Sequence, residues 1–547
     1  MKLFQKAGLY WRTVKHLKLV QVLYRLKYHF LRPTTPKIPD ETIISGFNQI
    51  GFLARGQGTI LGNNTFSFLN EKRTLEFPND WNNQSPSLLW TYNLHYFEGL
   101  LSDDISDYSK SNLIELWIKH NPASNGIGWQ PYPSSLRIAN WIKWAWRSGK
   151  LSPNARKVLY QQVLVLEKNL EFHLLGNHLM ENAKALIFAG VYFEGTDAER
   201  WLTRGIQILS DELREQILPD GAHFELSPMY HSIMLELVLD VMLLTQNTLC
   251  PKVLQKQSKT LEEVAERMTN WLEITLHPDR QISFFNDSSF GISPLPDDLI
   301  QYAETITGKS SQLPKSLNHT GESGLVRIER RNMVTLFDIG PVGPTYLPGH
   351  AHADTFSVEV SLFKQRLIVN SGTSQYGNSK ERELERSTSA HSTLELAGLN
   401  SSEVWSGFRV GRRANVEGIR TSVTKTNTKI EAHHNGYSYL RGKPRHRRKI
   451  SASDTNLVIE DTVDIDQYPA IVRFHLHPSV WVDVYDDNKS GILRLPNGET
   501  INWHNHKNSV RIEPFYYSPE FGKQIASLSI VAECNRHISN RFEMVWN

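Results

Sequence analysis

The sequence predicts two folds in one chain, a helical region followed by an antiparallel β region. Three observations carry this. Between about 90 and 310, apolar residues recur at i, i+3 and i+4 in successive blocks separated by Pro, Gly, Asn and Asp. Beyond about 310 the pattern becomes alternation in short runs of Val, Ile, Leu and Phe. Between the two lies a polar, breaker-rich stretch from Gly308 to Gly324. Helices followed by strands indicate separate α and β domains, and 547 residues suffice for several cores.

Residues 1–39 carry Lys2, Lys6, Arg12, Lys15, Lys18, Arg25, Lys27, Arg32 and Lys37, with no acid before Asp40. Leu17, Val20, Leu23, Tyr24 and Leu26 fall between them at roughly helical spacing. Such a helix lies either on an anionic membrane surface or on the protein body with its basic face in water. Pro33 and Pro36 end it. Residues 40–90 are Gly- and Asn-rich with short apolar runs, read as small strands and loops. In 91–310 the helical blocks are centred on Ile114–Ile118, Ser134–Trp146, Ala155–Leu175, Asn182–Tyr192, Ala198–Ile217, Pro228–Leu244 and Leu261–Leu276. Their period fits a toroid and a bundle equally. In 320–547 the alternating runs include Met333–Phe337, Thr355–Leu362, Leu457–Ile459, Ile471–Leu476 and Ile525–Val531, with a hairpin signal at Pro496-Asn497-Gly498.

Composition narrows the function. A net charge of +3 over this length does not suggest nucleic-acid binding. The 14 Trp and 19 Tyr fit a sugar groove or a large core. Cys250 and Cys534 are too few and too far apart for a disulfide framework or a thiolate metal site. Lys15 and Lys18 interrupt every apolar run that could serve as a secretory leader, and no run approaches the ~20 apolar residues of a membrane span. The expected location is cytoplasmic or peripheral to the inner membrane.

Three motifs carry chemistry. In Gly176-Asn177-His178-Leu179-Met180-Glu181, an Asn that opens a helix brings an amide and an imidazole together, with Glu181 one turn on to orient the ring. In Glu225-Leu226-Ser227-Pro228-Met229-Tyr230, Ser227 is a good N-cap and Pro228 suits the first helical position. Tyr230 then falls in the first turn, where the helix dipole favours an ionised phenol. In Gly349-His350-Ala351-His352-Ala353-Asp354, extended backbone would aim both histidines and the aspartate to one face. A two-residue turn at Lys364-Gln365 would pair Asn370 with Glu359, far from His352, so a joint site needs a bend or another register.

Together with Val369-Asn370-Ser371-Gly372-Thr373 and Arg386 to His391, these motifs resemble the heparinase II/III family of polysaccharide lyases over roughly 90–540. The resemblance implies an incomplete (α/α) toroid followed by an antiparallel β-sandwich, with the site between them. It implies β-elimination on an acidic, uronate-containing polysaccharide. Asn177 and His178 would neutralise the uronate carboxylate, Tyr230 would act as base, acid or both, and His350 would be the second proton-transfer group. Arg137 and Tyr376 would contact substrate, and Glu181, Glu225 and Arg386, from the same motifs, are placed with them. His352, Asn370 and His391 would be ligands of a supporting zinc. Metal-binding members carry Asp where this chain has Asn370, so weaker binding or none is expected.

Two other readings stay open. A glycoside hydrolase could draw paired carboxylates from Glu181, Glu225, Asp287 and Asp354. A non-catalytic polysaccharide-binding or assembly factor could use the same scaffold. Nothing in the sequence sets the oligomeric state.

Overall fold

The computed structural model describes residues 2–30, 36–39, 41–83, 85, 87–148, 151–310, 318–319, 321–534 and 538–547. The expected break at Pro33 and the middle of the expected linker, 311–317, lie outside the described residues.

The basic N-terminal segment forms two helices, α1 (Lys2–Val14) and α2 (Leu19–Phe30). A small antiparallel sheet follows, of Ile60–Gly62, Thr65–Phe68 and Glu71–Thr74. Its Phe66 enters the helical core, so the sheet has no core of its own.

The following helices fall into two classes. Asp107–His120, Pro153–Lys168, Thr196–Gln216 and Ser258–Thr275 each bury one stripe. Pro131–Ser148, Gly176–Tyr192 and Pro228–Thr245 are buried on nearly every side. A helix that is apolar all round needs neighbours on every face. The second class is therefore an inner ring and the first an outer one, the arrangement of an (α/α) toroid. Pro228–Thr245 is apolar enough to span a bilayer, but 94% of it is buried inside this ring. Trp81, Trp117, Trp141 and Trp144 are fully buried, so much of the aromatic excess serves packing.

Two helix boundaries differ from expectation. The run Ala155–Leu175 stops being helical at Lys168, where Asn169 becomes the C-cap and donates from Nδ2 to Val165 O at 2.7 Å. The next helix starts at Gly176 instead of Asn177. Gly176 has φ +61°, and a Cβ there would strike Leu347, so glycine alone suits the turn.

The C-terminal region is a β-sandwich. An eight-stranded antiparallel sheet runs Val416–Val423, Thr428–His434, His446–Ala452, Asn456–Val463, Ser539–Val545, Thr500–Asn505, Ser490–Arg494 and Trp481–Val484. Opposite lie a four-stranded sheet (Val510–Glu520, Lys523–Cys534, Ala470–His475, Leu394–Leu396) and a five-stranded one. The latter runs Asn318–His319, Leu325–Arg330, Met333–Asp338, Val358–Leu362 and Gln365–Ile368. Ile450 and Ile459, Phe474 and Ile530, and Val358 and Val360 from the three sheets share one core.

The strand expected from Thr355 begins at Val358. Phe356 has φ +69° and Ser357 N donates to Asp354 O at 2.7 Å, so the chain bends just before the sheet. The hairpin turns at Phe363-Lys364, with Leu362 opposite Gln365, which corrects the Lys364-Gln365 turn. The alternation itself holds. Phe356, Val358, Val360 and Leu362 enter the sandwich core, while Glu359 and Ser361 face the toroid and each hold a nitrogen of His277 at 2.7 Å.

Leu186→Ala in the inner ring is expected to lower the unfolding free energy by about 2–5 kcal/mol. Leu249→Ala, at a site 61% exposed, should stay within about 0.5 kcal/mol. Chemical denaturation of the two variants checks the assignment of inner and outer positions.

Candidate active site

Three segments meet where the inner ring faces the sandwich. They are Glu171 with the helix start Gly176-Asn177-His178, the run from Glu225 to Tyr230, and the loop Gly349–Asp354. The dipeptide Asn286-Asp287 ties them together. Asn286 donates from Nδ2 to Leu226 O at 2.9 Å, accepts from His352 N at 3.0 Å, and donates from its own N to Asp354 Oδ2 at 3.0 Å. Ser227, besides capping its helix by accepting from Tyr230 N at 3.1 Å, gives its hydroxyl proton to Asp287 O.

The Asp287 carboxylate is fully buried and bound by three side chains. His350 Nδ1 lies at 2.8 Å, His352 Nε2 at 2.7 Å, and Arg382 engages both oxygens. Burial opposes its charge, but Arg382 and the two histidines hold it well below the usual carboxylate range. An ionised carboxylate only accepts, so His350 donates from Nδ1 and His352 from Nε2. The lone pair of a neutral His350 is thereby fixed at Nε2.

That nitrogen lies 3.9 Å from Glu225 Oε2, and its ring stacks on Tyr230 with centroids 3.9 Å apart. The hydroxyls of Tyr230 and Tyr376 are 3.0 Å apart. Burial, then the neighbouring Tyr376, raise the Tyr230 phenol well above its ordinary value. Desolvation thus outweighs the helix dipole, which corrects the expectation of an ionised phenol. Tyr230 rests as a neutral proton donor beside the imidazole lone pair.

On the opposite side, His178 Nδ1 pairs with Glu171 at 2.9 Å, its ring 4.3 Å from that of Tyr132. Burial lowers the His178 imidazole, but Glu171 with Glu225 and Glu181 outweighs it and the net shift is upward. The acid that orients this ring is Glu171, not Glu181. Glu181 lies one turn into the helix among the buried charges of Lys184, Glu236 and Asp240, and burial raises its carboxyl. Asn177 is 4% exposed and its carboxamide has no hydrogen-bond partner among the described residues. Both Glu225 oxygens are likewise buried with no hydrogen-bond partner among the described residues, and burial raises this carboxyl too.

The structure gathers Asn177, His178, Glu225, Tyr230, His350 and Tyr376 at this cleft. It does not gather Arg137 or Arg386. Arg137 is fully buried, with its guanidinium 4.0 Å from the Trp117 ring and Nε on Gln162 at 2.8 Å. Arg386 is also buried and spends its guanidinium on the carbonyls of Ala351, Trp405 and Arg409, bracing the His350 loop from behind. Both are structural cations. Glu171, Tyr132 and Arg382 are additions that the sequence reading missed; Asp287 was noted only as a hydrolase carboxylate. The polar run Asn286-Asp287-Ser288-Ser289, fully or nearly fully buried, was the one available signal.

The expected metal ligands do converge. His352 Nδ1 faces His391 Nε2 at 3.2 Å, a spacing that one tetrahedral ion bonded at ~2.0–2.1 Å to both would also give. Asn370 completes the group, but its amide oxygen accepts from Ser392 N at 3.2 Å and its Nδ2 donates to Ser357 Oγ at 3.3 Å. Two imidazoles and a neutral amide engaged at both ends do not make a closed zinc site. Among the described residues, no group of three His, Cys, Asp or Glu side chains is arranged to hold a metal.

Residues 106–306 match the family description Heparinase II/III N-terminus, and residues 312–545 match Heparinase II/III-like, C-terminal. A heparin-sulfate lyase of Pedobacter heparinus is 28% identical over 252 residues, covering 41% of this chain and 36% of that protein. The FtsZ-localized protein C of Caulobacter vibrioides is 25% identical over 366 residues, covering 63% of this chain and 60% of its own. The match thus spans less than two thirds of either relative. The crystal structure of heparinase III superimposes with a TM-score of 0.69 at 18% identity, covering 100% of this chain and 90% of the other.

Asp287→Ala is expected to cost about 3–5 kcal/mol of stability, because Arg382 would stay buried without its partner. It should also free the His350 tautomer, seen as loss of the hydrogen-bonded Nδ1–H signal in proton NMR. An unchanged unfolding free energy would mean that the carboxylate does not hold the cluster together.

Proposed function

The chain belongs to the heparinase II/III family, and from that premise we propose that it is a polysaccharide lyase that cleaves a uronate-containing chain by β-elimination. The observation that carries this reading is the Tyr230–His350 pair. A neutral phenol and an imidazole whose free lone pair is fixed at Nε2 stack at 3.9 Å, beside an unspent amide and an imidazole raised toward its cationic form.

β-Elimination needs these groups. The proton α to the uronate carboxylate becomes acidic only when the developing enolate charge is met by donors already in place. His178, held in its donor form by Glu171, and the Asn177 amide supply them. His350 Nε2 takes the C5 proton, and the C5–H electrons form the C4–C5 double bond. The C4–O bond breaks, and Tyr230 gives its proton to the departing oxygen. The C5 proton held by His350 then passes back to the Tyr230 phenolate, which resets both groups, while Tyr376 holds the Tyr230 hydroxyl in place by a hydrogen bond. Glu225, whose oxygens have no hydrogen-bond partner among the described residues, can accept from a sugar hydroxyl.

The structure gives little support for a hydrolase. Asp287 is committed to two histidines and an arginine, Asp354 to a backbone amide, and Glu181 to a buried ion cluster. A non-catalytic role has one observation in its favour: the name of the Caulobacter relative denotes localisation and no reaction. Zinc, where it binds, would be held by His352 and His391 with the Asn370 oxygen, and no step above runs through it.

Wild-type protein incubated with a panel of uronate polysaccharides should yield a product absorbing in the ultraviolet, from the new double bond. Tyr230→Phe and His350→Ala should each lower turnover by at least ~10²-fold. Reducing ends without that absorbance would overturn the elimination, and binding without turnover across the panel would favour the non-catalytic role.

The raised His178 value sets the sign of one pH effect. His178 is cationic below its folded value and loses its charge as pH rises through it, so activity should fall on that limb. Glu171→Gln removes the main cause of the rise and should move the limb to lower pH. A limb that stays in place would free His178 of the assigned role. For the metal, Asn370→Asp should increase zinc retained through gel filtration, measured by atomic emission; equal retention would remove Asn370 from the ligand set.

A further inference from the structure

We propose that the outward face of α1 and α2 docks the protein on an anionic lipid bilayer. Both helices already use one face on the protein body. In α2, the fully buried Gln21 donates to Leu174 O at 3.3 Å, Tyr24 packs on Phe172 with centroids 4.8 Å apart, and Tyr28 donates to Leu170 O. In α1, Arg12 forms a two-pronged pair with Glu403 at 2.7 and 2.8 Å, and the Thr13 hydroxyl accepts from the Trp405 indole at 3.1 Å. A surface helix packed in this way normally turns polar residues to water.

These helices turn apolar ones. Leu19, Leu23, Leu26 and Phe30 are 73%, 54%, 50% and 73% exposed, and Val22 is 40% exposed. Their spacing of i, i+3, i+4, i+7 and i+11 puts them on one side of α2. Trp11 and Val14, three residues apart on α1, are 65% and 45% exposed. The face is rimmed by Lys6, Lys15, Arg25 and Lys27, all exposed, within a segment that has no acidic residue before Asp40. Leucine, tryptophan and phenylalanine on helices whose own charged residues are all positive match the boundary between acyl chains and anionic headgroups. A second copy of the same face would bring these like charges together, and an acidic protein groove would leave no reason for so broad an apolar plane.

The placement bears on the cleft. α2 clasps residues 170–174, which lead into Asn177 and His178 and include Glu171. Lys18, between the helices, bonds Glu215 at 2.6 Å and lies 3.9 Å over the Tyr346 ring, four residues before His350. α1 is fastened to Trp405, whose neighbour Phe408 contacts His350 with centroids 6.0 Å apart. The docked face is therefore fixed to both rims of the cleft, and glycan presented at a membrane surface would enter beside it.

The test uses the full chain, sedimented with phosphatidylcholine vesicles with and without phosphatidylglycerol, and compares it with Leu23→Asp/Leu26→Asp and with Lys15→Glu. The protein should bind the anionic vesicles about tenfold or more tightly than the neutral ones. The double variant should lose that binding with its unfolding midpoint unchanged, because both side chains are half-exposed. Lys15→Glu should weaken it in low salt. Failure to bind either vesicle, or equal binding to both, overturns the proposal. So does a concentration-dependent dimer, seen in sedimentation velocity, that the double variant abolishes without any vesicle binding. Turnover is not read, so these outcomes leave the lyase reading untouched.

Discussion

The structure turns on one buried carboxylate. Asp287 stands where the helical region meets the sandwich, and it binds Arg382, His350 and His352 at once. Unpaired, a charge at that depth would cost several kcal/mol; paired with a guanidinium and two imidazoles it fixes geometry. It settles which nitrogen of a neutral His350 carries the proton, and hence where its lone pair points. Its backbone carbonyl accepts from Ser227, which caps the helix that carries Tyr230. His350 and Tyr230 are thus positioned from the same two residues, Asn286 and Asp287.

The surrounding charges divide by depth. Lys184 and Lys143, inside the inner ring, both pair with the fully buried Asp240 and are themselves almost wholly buried. Glu171 and His178, nearer the cleft, form a pair whose imidazole is 29% exposed on its side chain. Glu225 has no hydrogen-bond partner among the described residues, and its nearest charge is His350 Nε2 at 3.9 Å. A polar group left unsatisfied in a buried wall is costly unless something is meant to meet it. Here Glu225 Oε2 and the free nitrogen of His350 lie 3.9 Å apart, beyond hydrogen-bond reach of each other.

Much of this was legible in the sequence. Helical and strand periods separated the two domains, and the Ser227-Pro228 signal placed Tyr230 in a first helical turn. Alternation from Phe356 to Leu362 gave the core face of that strand correctly even though its start moved to Val358. The motifs named His178, Tyr230 and His350 because each stands in a short run of chemically unusual neighbours. What stayed hidden were partners set by tertiary contact. Glu171 lies seven residues before His178, across a loop that the helical period read as helix, so Glu181 took its place. Asp287 and Arg382 are 95 residues apart, and no local pattern joins them. Arg137 and Arg386 were expected to contact substrate because burial does not show in a sequence, and the same blindness let the helix dipole suggest an ionised Tyr230. The outward apolar face of α2 was hidden for the opposite reason: a helical stripe is ordinarily read as the buried side.

Elimination and hydrolysis differ in whether water enters the product. The most direct measurement is the mass spectrum of fragments released from a uronate polysaccharide in ¹⁸O-labelled water. The account predicts two fragments whose masses sum to that of the substrate, with the new non-reducing end one water lighter than a saturated sugar and no ¹⁸O fixed by the cleavage. A saturated end with one ¹⁸O retained at the cleaved bond would contradict it.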